Sequence, residues 1–281
     1  MHPEEILRRK REIIHRYGEW TAHNILLGEG IYTIREEEPI SRVRARQYLQ
    51  IVSDILRRPF SGMRVLDLGC LEGLFAIEFA AHGAESLGID IREGSIAKAG
   101  FAAEALGLGR AKFLLEDVRN LCPETLGGFD VILCAGILYH LQREALLPFL
   151  QTLMRMLRGV LIIDTHIALH PTHTFDWNGA TYAGCPYPED AAQATSVQKS
   201  EKTWASADNT ESFWLTEASL LNALHHVGCT TVFEVKHPPV VTTPVDRKTF
   251  VAPVAEPVDI LRASPRKEAF SYEFLHPEHG S

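Results

Sequence analysis

The stretch Val65-Leu66-Asp67-Leu68-Gly69-Cys70-Leu71-Glu72-Gly73 limits the fold more than any other part of the chain. A short apolar run passes directly into a turn bearing two glycines, and the residues from 74 to 82 then follow helical spacing. A strand that turns through glycine into a helix opens a βαβ unit, because glycine accepts a left-handed backbone and lets a ligand approach closely. The alternation continues downstream. Strands are expected at 64–68, 86–89, 112–115, 129–134 and 160–164, with helices at 74–82, 94–106 and 143–157 between them. Each strand is short and nearly all apolar, as in a parallel sheet covered on both faces.

Around this centre the pattern is less regular. Apolar residues Ile6, Leu7, Ile13, Ile14 and Tyr17 predict a surface helix over 4–17, and Tyr48, Ile51, Val52, Ile55 and Leu56 predict a second over 41–58, ended by Pro59. These form an N-terminal helical segment or lid, 1–60. Beyond Asp164 the region 166–212 is polar, aromatic and without a sustained period, and is expected to be a lid inserted after the fifth strand. A helix over 216–227 stopped by Gly228, then strands near 230–236 and 248–252, complete the pattern. The expectation is a doubly wound α/β fold, a mostly parallel seven-stranded sheet with helices on both faces, spanning 61–253, with a tail at 254–281.

Composition narrows the function classes. A chain of 281 residues, 46% hydrophobic, can bury one large core. The net charge of -8 argues against a surface built to neutralise phosphates, so nucleic acid is not the expected partner. No apolar run approaches the roughly 20 residues of a membrane span, and the basic residues near the N-terminus have no apolar stretch behind them, so neither membrane nor targeting is expected. Five scattered cysteines fit a reducing compartment, hence a cytoplasmic location, and a homodimer is compatible with everything here.

The chemistry of the turn selects a ligand. A dinucleotide fold uses G-x-G-x-x-G so that a pyrophosphate can sit on the helix N-terminus. Here the pattern is D-x-G-x-x-x-G, and the carboxylate of Asp67 at the strand end repels a pyrophosphate but attracts a cationic nucleoside. S-adenosylmethionine, with its sulfonium and α-ammonium groups, has that charge. Asp90, about 20 residues on, suits the two ribose hydroxyls, with Ile91 beside it. Asp117 suits the adenine amino group and the Val118 amide a ring nitrogen. At the fourth strand's end, Cys134-Ala135-Gly136-Ile137 leaves room for the methionine portion. Taken singly, these acids are equally a helix-terminal charge, a turn residue and a solvated side chain.

Taken together, residues 64–141 resemble the Rossmann-like class I S-adenosylmethionine-dependent methyltransferase family. The resemblance implies a cofactor site of Asp67, Gly69, Cys70, Leu71, Gly73, Asp90, Ile91, Asp117, Val118 and Cys134. Leu71 departs from the glycine usual at its place. Later motifs, Gly136-Ile137-Leu138-Tyr139-His140, Ser212-Phe213-Trp214-Leu215-Thr216 and Arg247-Lys248-Thr249-Phe250-Val251-Ala252, are similar to the tRNA wobble-uridine carboxymethyltransferase family and its small-molecule relatives. In that family a Tyr and an Arg at the places of Tyr139 and Arg247 grip an extra carboxylate on the cofactor, with a Lys following an N-terminal Trp. Here Thr21-Ala22 follow Trp20, so ordinary S-adenosylmethionine and a small acceptor are the expectation.

The acceptor should approach over strands four and five. His140 is the candidate base, with Tyr139 and His166 beside it as catalytic candidates, because an imidazole titrates near neutrality. Asp164 and His166 form a D-x-H pair, but no third and fourth ligand follow at suitable spacing, so no metal is expected. His23, Tyr139, Trp177, Tyr182 and Arg247 are expected to face the substrate. The expected reaction is methyl transfer to an O or N atom of a metabolite, natural product or sugar. The alternative is a tRNA methyl or carboxymethyl transferase acting on a modified wobble uridine, which a basic face of Arg42, Arg44, Arg46, Arg57 and Arg58 would favour. A cofactor-binding module without turnover and a nicotinamide dehydrogenase are the remaining classes.

Overall fold

A computed structural model of the chain describes residues 1–35, 39–189, 206, 209–236, 244–255, 258 and 262. Helix α1 (Pro3–Tyr17) starts on a proline, whose missing N–H costs nothing there, with acids in its first turn and His15 and Arg16 in its last, complementing the helix dipole. A hairpin of β1 (Leu26–Gly28) and β2 (Ile31–Tyr32) follows, between the two expected helices. Helix α2 (Pro39–Leu56) stops short of the expected end, because Arg57 adopts φ 48° and already breaks it before Pro59.

Then comes the alternation: β3 (Arg64–Leu68), α3 (Leu74–Ala81), β4 (Glu85–Asp90), α4 (Glu93–Ala105), β5 (Ala111–Leu115), α5 (Pro123–Leu126), β6 (Phe129–Ala135), α6 (Arg143–Met156) and β7 (Leu157–His166). Three further strands, β8 (His173–Trp177), β9 (Ala180–Pro188) and β10 (Glu211–Leu215), precede α7 (Glu217–His226), β11 (Phe233–Glu234) and β12 (Arg247–Pro253).

The main sheet has seven strands in the order β11-β12-β7-β6-β3-β4-β5. β7, β6, β3, β4 and β5 run parallel, and β12 pairs antiparallel with β7 and with β11, as the mostly parallel sheet requires. Strand order reverses on either side of β3, since the chain moves to β4 on one side and returns to β6 on the other. Ligands in such sheets bind in the crevice at the carboxyl ends beside that reversal.

The central strands β3, β6 and β7 feed two cores. Leu66, Leu68, Ile132, Leu161 and Ile163 pack on one face with Leu146, Leu150 and Leu153 of α6 and Leu220 and Leu224 of α7. Val65, Val131, Leu133, Val160 and Ile162 pack on the other with Val52 of α2, Phe79 of α3 and Ala102 of α4. Burial of each such side chain stabilises the fold by about 1.5–3 kcal/mol, which is why both faces of the central strands are covered and a ligand is left their ends.

The insertion after the fifth parallel strand is present, but its expected lack of regular structure is not. β10, β9 and β8 form a three-stranded antiparallel sheet. Its tight turn is Asn178-Gly179, with φ 47° and 82°, the doubly left-handed geometry that Asn-Gly favours between paired strands. That dipeptide is visible in the sequence. Residues 190–205, 207–208 and most of the expected tail lie outside the described residues.

The β3–α3 turn leaves no room for a side chain at Gly73. It lies at φ 85°, and an added Cβ would stand 2.7 Å from Ala99 Cβ and 2.8 Å from the Phe113 ring. Gly73→Ala therefore combines left-handed strain with overpacking and should cost about 3 kcal/mol, read as a lower denaturation midpoint; an unchanged midpoint would contradict this packing.

Candidate functional site

Backbone geometry shapes the carboxyl end of β3. Gly69, Leu71 and Gly73 all have positive φ, at 62°, 47° and 85°. Leu71 thus occupies a conformation that costs a non-glycine residue about 1–2 kcal/mol, at the position where the resemblance expects glycine. Asp90 holds it there. One oxygen of that carboxylate accepts the Leu71 N–H at 2.9 Å and the other accepts the Arg92 N–H at 2.8 Å. Burial raises the Asp90 carboxyl above its ordinary range against these two amides.

Asp67 lies behind the turn, 1% exposed, accepting the Ala76 N–H at 3.2 Å. Burial pushes it up to about 7, the Ala76 amide opposes this, and Asp90 adds to it; no cation compensates. Asp67 therefore sits buried at this strand edge with no cation acting on it among the described residues, beside Asp90, whose carboxyl stays raised although Arg92 partly offsets it. Asp117 is placed differently. It caps the Val118–Asn120 3₁₀ turn through the Arg119 N–H at 2.8 Å and pairs with the Arg119 guanidinium, which together outweigh burial and lower its carboxyl. Cys134 closes the set from below: its thiol is turned into the core and burial pushes it up to about 12. Cys70 is also buried, whereas Ile91 is 41% exposed.

The N-terminal segment is fastened onto this turn by Glu72, which the sequence did not single out. Its buried carboxylate accepts the N–H groups of Thr21, Ala22 and His23 at 2.9, 2.9 and 2.8 Å, and Lys98 Nζ lies 3.4 Å away. His23 departs from its expected substrate-facing place. Its ring is buried, Nδ1 accepts the Leu74 N–H at 3.2 Å, and burial lowers it to about 4, so it serves as a neutral cap on α3.

On the acceptor side, the Leu138–His140 3₁₀ turn after β6 places Tyr139 and His140 side by side, ring centres 4.2 Å apart. His166, at the end of β7, meets the Tyr139 ring edge-on at 4.8 Å and stacks on Trp214 at 4.8 Å, and Trp214 stacks in turn on Tyr187 at 4.2 Å. His166 Nδ1 is 3.2 Å from Asp246, and burial lowers its basicity against that acid. Arg247 donates to Asp164 at 2.6 Å and lies 5.8 Å from the Tyr139 ring centre. Burial would raise Asp164, but Arg247, Arg44 and Thr249 hold it below the usual range.

At this edge the Tyr48 hydroxyl is buried and has no hydrogen-bond partner among the described residues. Burial and the charge of Asp164 raise it well above a usual phenol.

Tyr182 and Trp177 depart from expectation for one reason, the two-residue alternation of a strand. Phe175 pairs with Tyr182, and Phe175, Tyr182 and Phe213 face the core. Tyr182 is fully buried with its hydroxyl on His226 at 2.7 Å, and Trp177 packs against the His226 ring at 5.1 Å. The opposite face carries Tyr187 and Trp214 toward Tyr139 and His166. Trp214 stood in the quoted S-F-W-L-T motif without a role. Glu189, bonded to His140 Nδ1 at 2.8 Å, had no local sequence signal, being 49 residues away.

The family model described as "Methyltransferase domain" matches residues 59–212, more than half of the chain. The ubiquinone biosynthesis O-methyltransferase of Acinetobacter baylyi is 31% identical over 96 residues, 34% of this chain and 40% of that protein. The tRNA U34 carboxymethyltransferase of Helicobacter pylori is 32% identical over 129 residues, 42% of this chain and 48% of that protein. The chain thus spans less than half the length of these curated relatives. The N-terminal domain of EvdMO1, crystallised in the presence of SAH and D-fucose, superimposes with a TM-score of 0.68 at 25% identity, covering 91% of this chain and 98% of that one.

Glu72 offers a test of how the N-terminal segment is held. Glu72→Ala strands three backbone donors and should cost on the order of 3 kcal/mol in chemical denaturation, with Glu72→Gln, which keeps one acceptor oxygen, losing less. Equal stability of all three proteins would rule out the latch.

Proposed function

The chain belongs to the methyltransferase-domain family, and on that premise we propose that it transfers a methyl group from S-adenosylmethionine to an oxygen or nitrogen of a small-molecule acceptor. The observation that carries this is buried Asp67, on which no cation acts among the described residues, beside Asp90, whose carboxyl stays raised in spite of Arg92, at a glycine turn. A cationic nucleoside relieves that imbalance, whereas a pyrophosphate aggravates it. The orphaned Tyr48 hydroxyl at the same edge is a further polar group suited to the amino-acid part of such a ligand.

S-adenosylmethionine, when bound, supplies a methyl group on a positively charged sulfur. The chain's own residues hold and screen it. Gly69 and Gly73 give the turn its left-handed backbone, with Cys70 and Leu71 between them facing the ligand. Asp90 accepts from the ribose hydroxyls beside Ile91, and Asp117 with the Val118 amide meets the adenine. Cys134 contributes its backbone, its thiol being turned away. Residues 1–60, latched by Glu72, cover the cofactor and exclude water, while 61–253 carry the site. Tyr139, His140 and His166 face the acceptor, with Trp214 and Arg247 walling it. His140 is the group to take a proton from the acceptor.

The acceptor is small and carries hydroxyls, in keeping with the sugar present in the crystals of the EvdMO1 domain. The competing substrate is a tRNA wobble uridine, suggested by the relative from Helicobacter pylori. The arginines weigh against it: Arg44 is half-buried and acts on Asp164, Arg58 is taken up by Asp130, and Arg57 bonds to the Asp54 carbonyl, so the five do not make one open basic face. Labelled S-adenosylmethionine supplied with a small-molecule extract or with bulk tRNA separates the two. Label in the tRNA alone would overturn the small-acceptor reading.

Asp67 gives a pH signature. Because its folded value is raised, the unliganded protein is favoured with Asp67 protonated, and that contribution to stability is lost as pH rises from the ordinary carboxylate range through about 7. The cation prefers the ionised form, so affinity for S-adenosylmethionine should rise about tenfold across the same interval in calorimetry. Asp67→Asn should flatten that rise; a pH-independent affinity in the native protein would contradict the role given to Asp67.

A further inference from the structure

Glu189 makes a contact that the fold itself does not call for. It follows the last residue of β9, its side chain is 2% exposed, and its two oxygens are both engaged: one meets His140 Nδ1 at 2.8 Å and the other accepts the Ser206 N–H at 3.0 Å. Burial alone would raise this carboxyl, but the His140 contact and the Ser206 amide hold it below the usual range, so it is ionised. The backbone of the same histidine is also held. Asn209 Nδ2 donates to the His140 carbonyl at 3.1 Å and to the Glu211 carbonyl at 2.8 Å. Ring and main chain of one residue after β6 are thus pinned from the insertion.

An ionised carboxylate can only accept, so the nitrogen facing it must carry the proton. The neutral His140 ring then has its lone pair on Nε2. Without such a partner a histidine in water prefers the other tautomer, in which Nε2 carries the proton and cannot act as a base. The other charged or titratable groups on this side among the described residues include Tyr139, with its ring 4.2 Å from that of His140, Arg247 against Tyr139, Asp164 beneath Arg247, Arg44 acting on Asp164 and Tyr139, and His166 paired with Asp246. None of them is bonded to His140 among the described residues. Among the described residues, Glu189 is the group that sets its tautomer.

We propose that Glu189 is the positioning residue that fixes His140 with Nδ1 protonated and Nε2 open, and that the methylated atom is a hydroxyl oxygen which still carries its proton at neutral pH. This rests on the methyl-transfer reading and deepens it. A neutral amine attacks with a free lone pair and sheds its proton afterwards, whereas a hydroxyl of ordinary acidity is a poor nucleophile until its proton is taken. The step balances. The acceptor oxygen forms a bond to the methyl carbon, the C–S bond breaks with its electron pair going to sulfur, and the O–H proton passes to His140 Nε2. The resulting imidazolium is stabilised by the Glu189 carboxylate, as in other buried acid–histidine pairs.

The test needs no known acceptor for its first part. In 15N-histidine-labelled protein, the His140 ring signals are identified by their loss in His140→Gln, and long-range proton–nitrogen spectra read the tautomer directly. Native protein should show Nδ1–H; Glu189→Gln, which keeps an accepting oxygen, should retain it, and Glu189→Leu should convert to Nε2–H. A native His140 with Nε2–H, or a tautomer unmoved by Glu189→Leu, overturns the proposal, and the native spectrum decides even where that variant does not fold. In the second part, 13C-methyl S-adenosylmethionine is turned over with a small-molecule extract and the carbon shift of the product is read. An O-methyl product with turnover about a hundredfold lower in Glu189→Leu supports the proposal, and an N-methyl product overturns the acceptor class. S-adenosylhomocysteine affinity, measured by calorimetry, should be the same in native and variant proteins. Its absence in the native protein would count against the methyl-transfer reading rather than against the dyad.

Discussion

The bonds between Asp90 and the amides of Leu71 and Arg92 are what the carboxyl edge of the sheet depends on. They join the ends of β3 and β4 through side chain and backbone, and they hold Leu71 in a left-handed conformation that it would not keep by itself. The same residue is therefore a brace for the turn and a candidate for the ribose. These uses are compatible because a carboxylate has about four lone-pair sites and the two amides occupy only part of them. Its neighbour Asp67 is stabilised much less. A single amide and complete burial leave it close to its titration point at neutral pH, so its charge is the part of the site most responsive to a ligand.

The turn is also where the N-terminal segment docks. Glu72 collects three successive amides from residues 21–23, and His23 returns the arrangement by capping α3 at Leu74. The segment that follows α1 is thereby tied to the β3–α3 turn rather than merely packed on the sheet. Trp20, buried with Lys98 5.7 Å from its ring centre, continues the same joint.

The candidate acceptor side is built in a different way. Its floor belongs to the parallel sheet, through Tyr139, His140, Asp164 and His166, but its wall belongs to the small antiparallel sheet of the insertion. One face of that sheet fills the core with Phe175, Tyr182 and Phe213 while the other offers Tyr187 and Trp214. The two ends meet at Gly136, where a side chain would come within 3.7 Å of the Tyr139 hydroxyl and 3.8 Å of Arg247.

The sequence by itself determined the α/β alternation, the five parallel strands to within a few residues at either end, and the acid-bearing glycine turn, because hydrophobic period and glycine placement are local properties. It also contained the Asn178-Gly179 hairpin signal within a region that otherwise lacks a period. Tertiary structure alone decided the rest. Tyr182 and Trp177 face the core because one strand register places them there, and composition does not reveal register. Glu189 reaches His140 and Glu72 reaches residues 21–23 across some fifty positions of chain, and a buried carboxylate chooses its partners by where folding leaves unmatched donors.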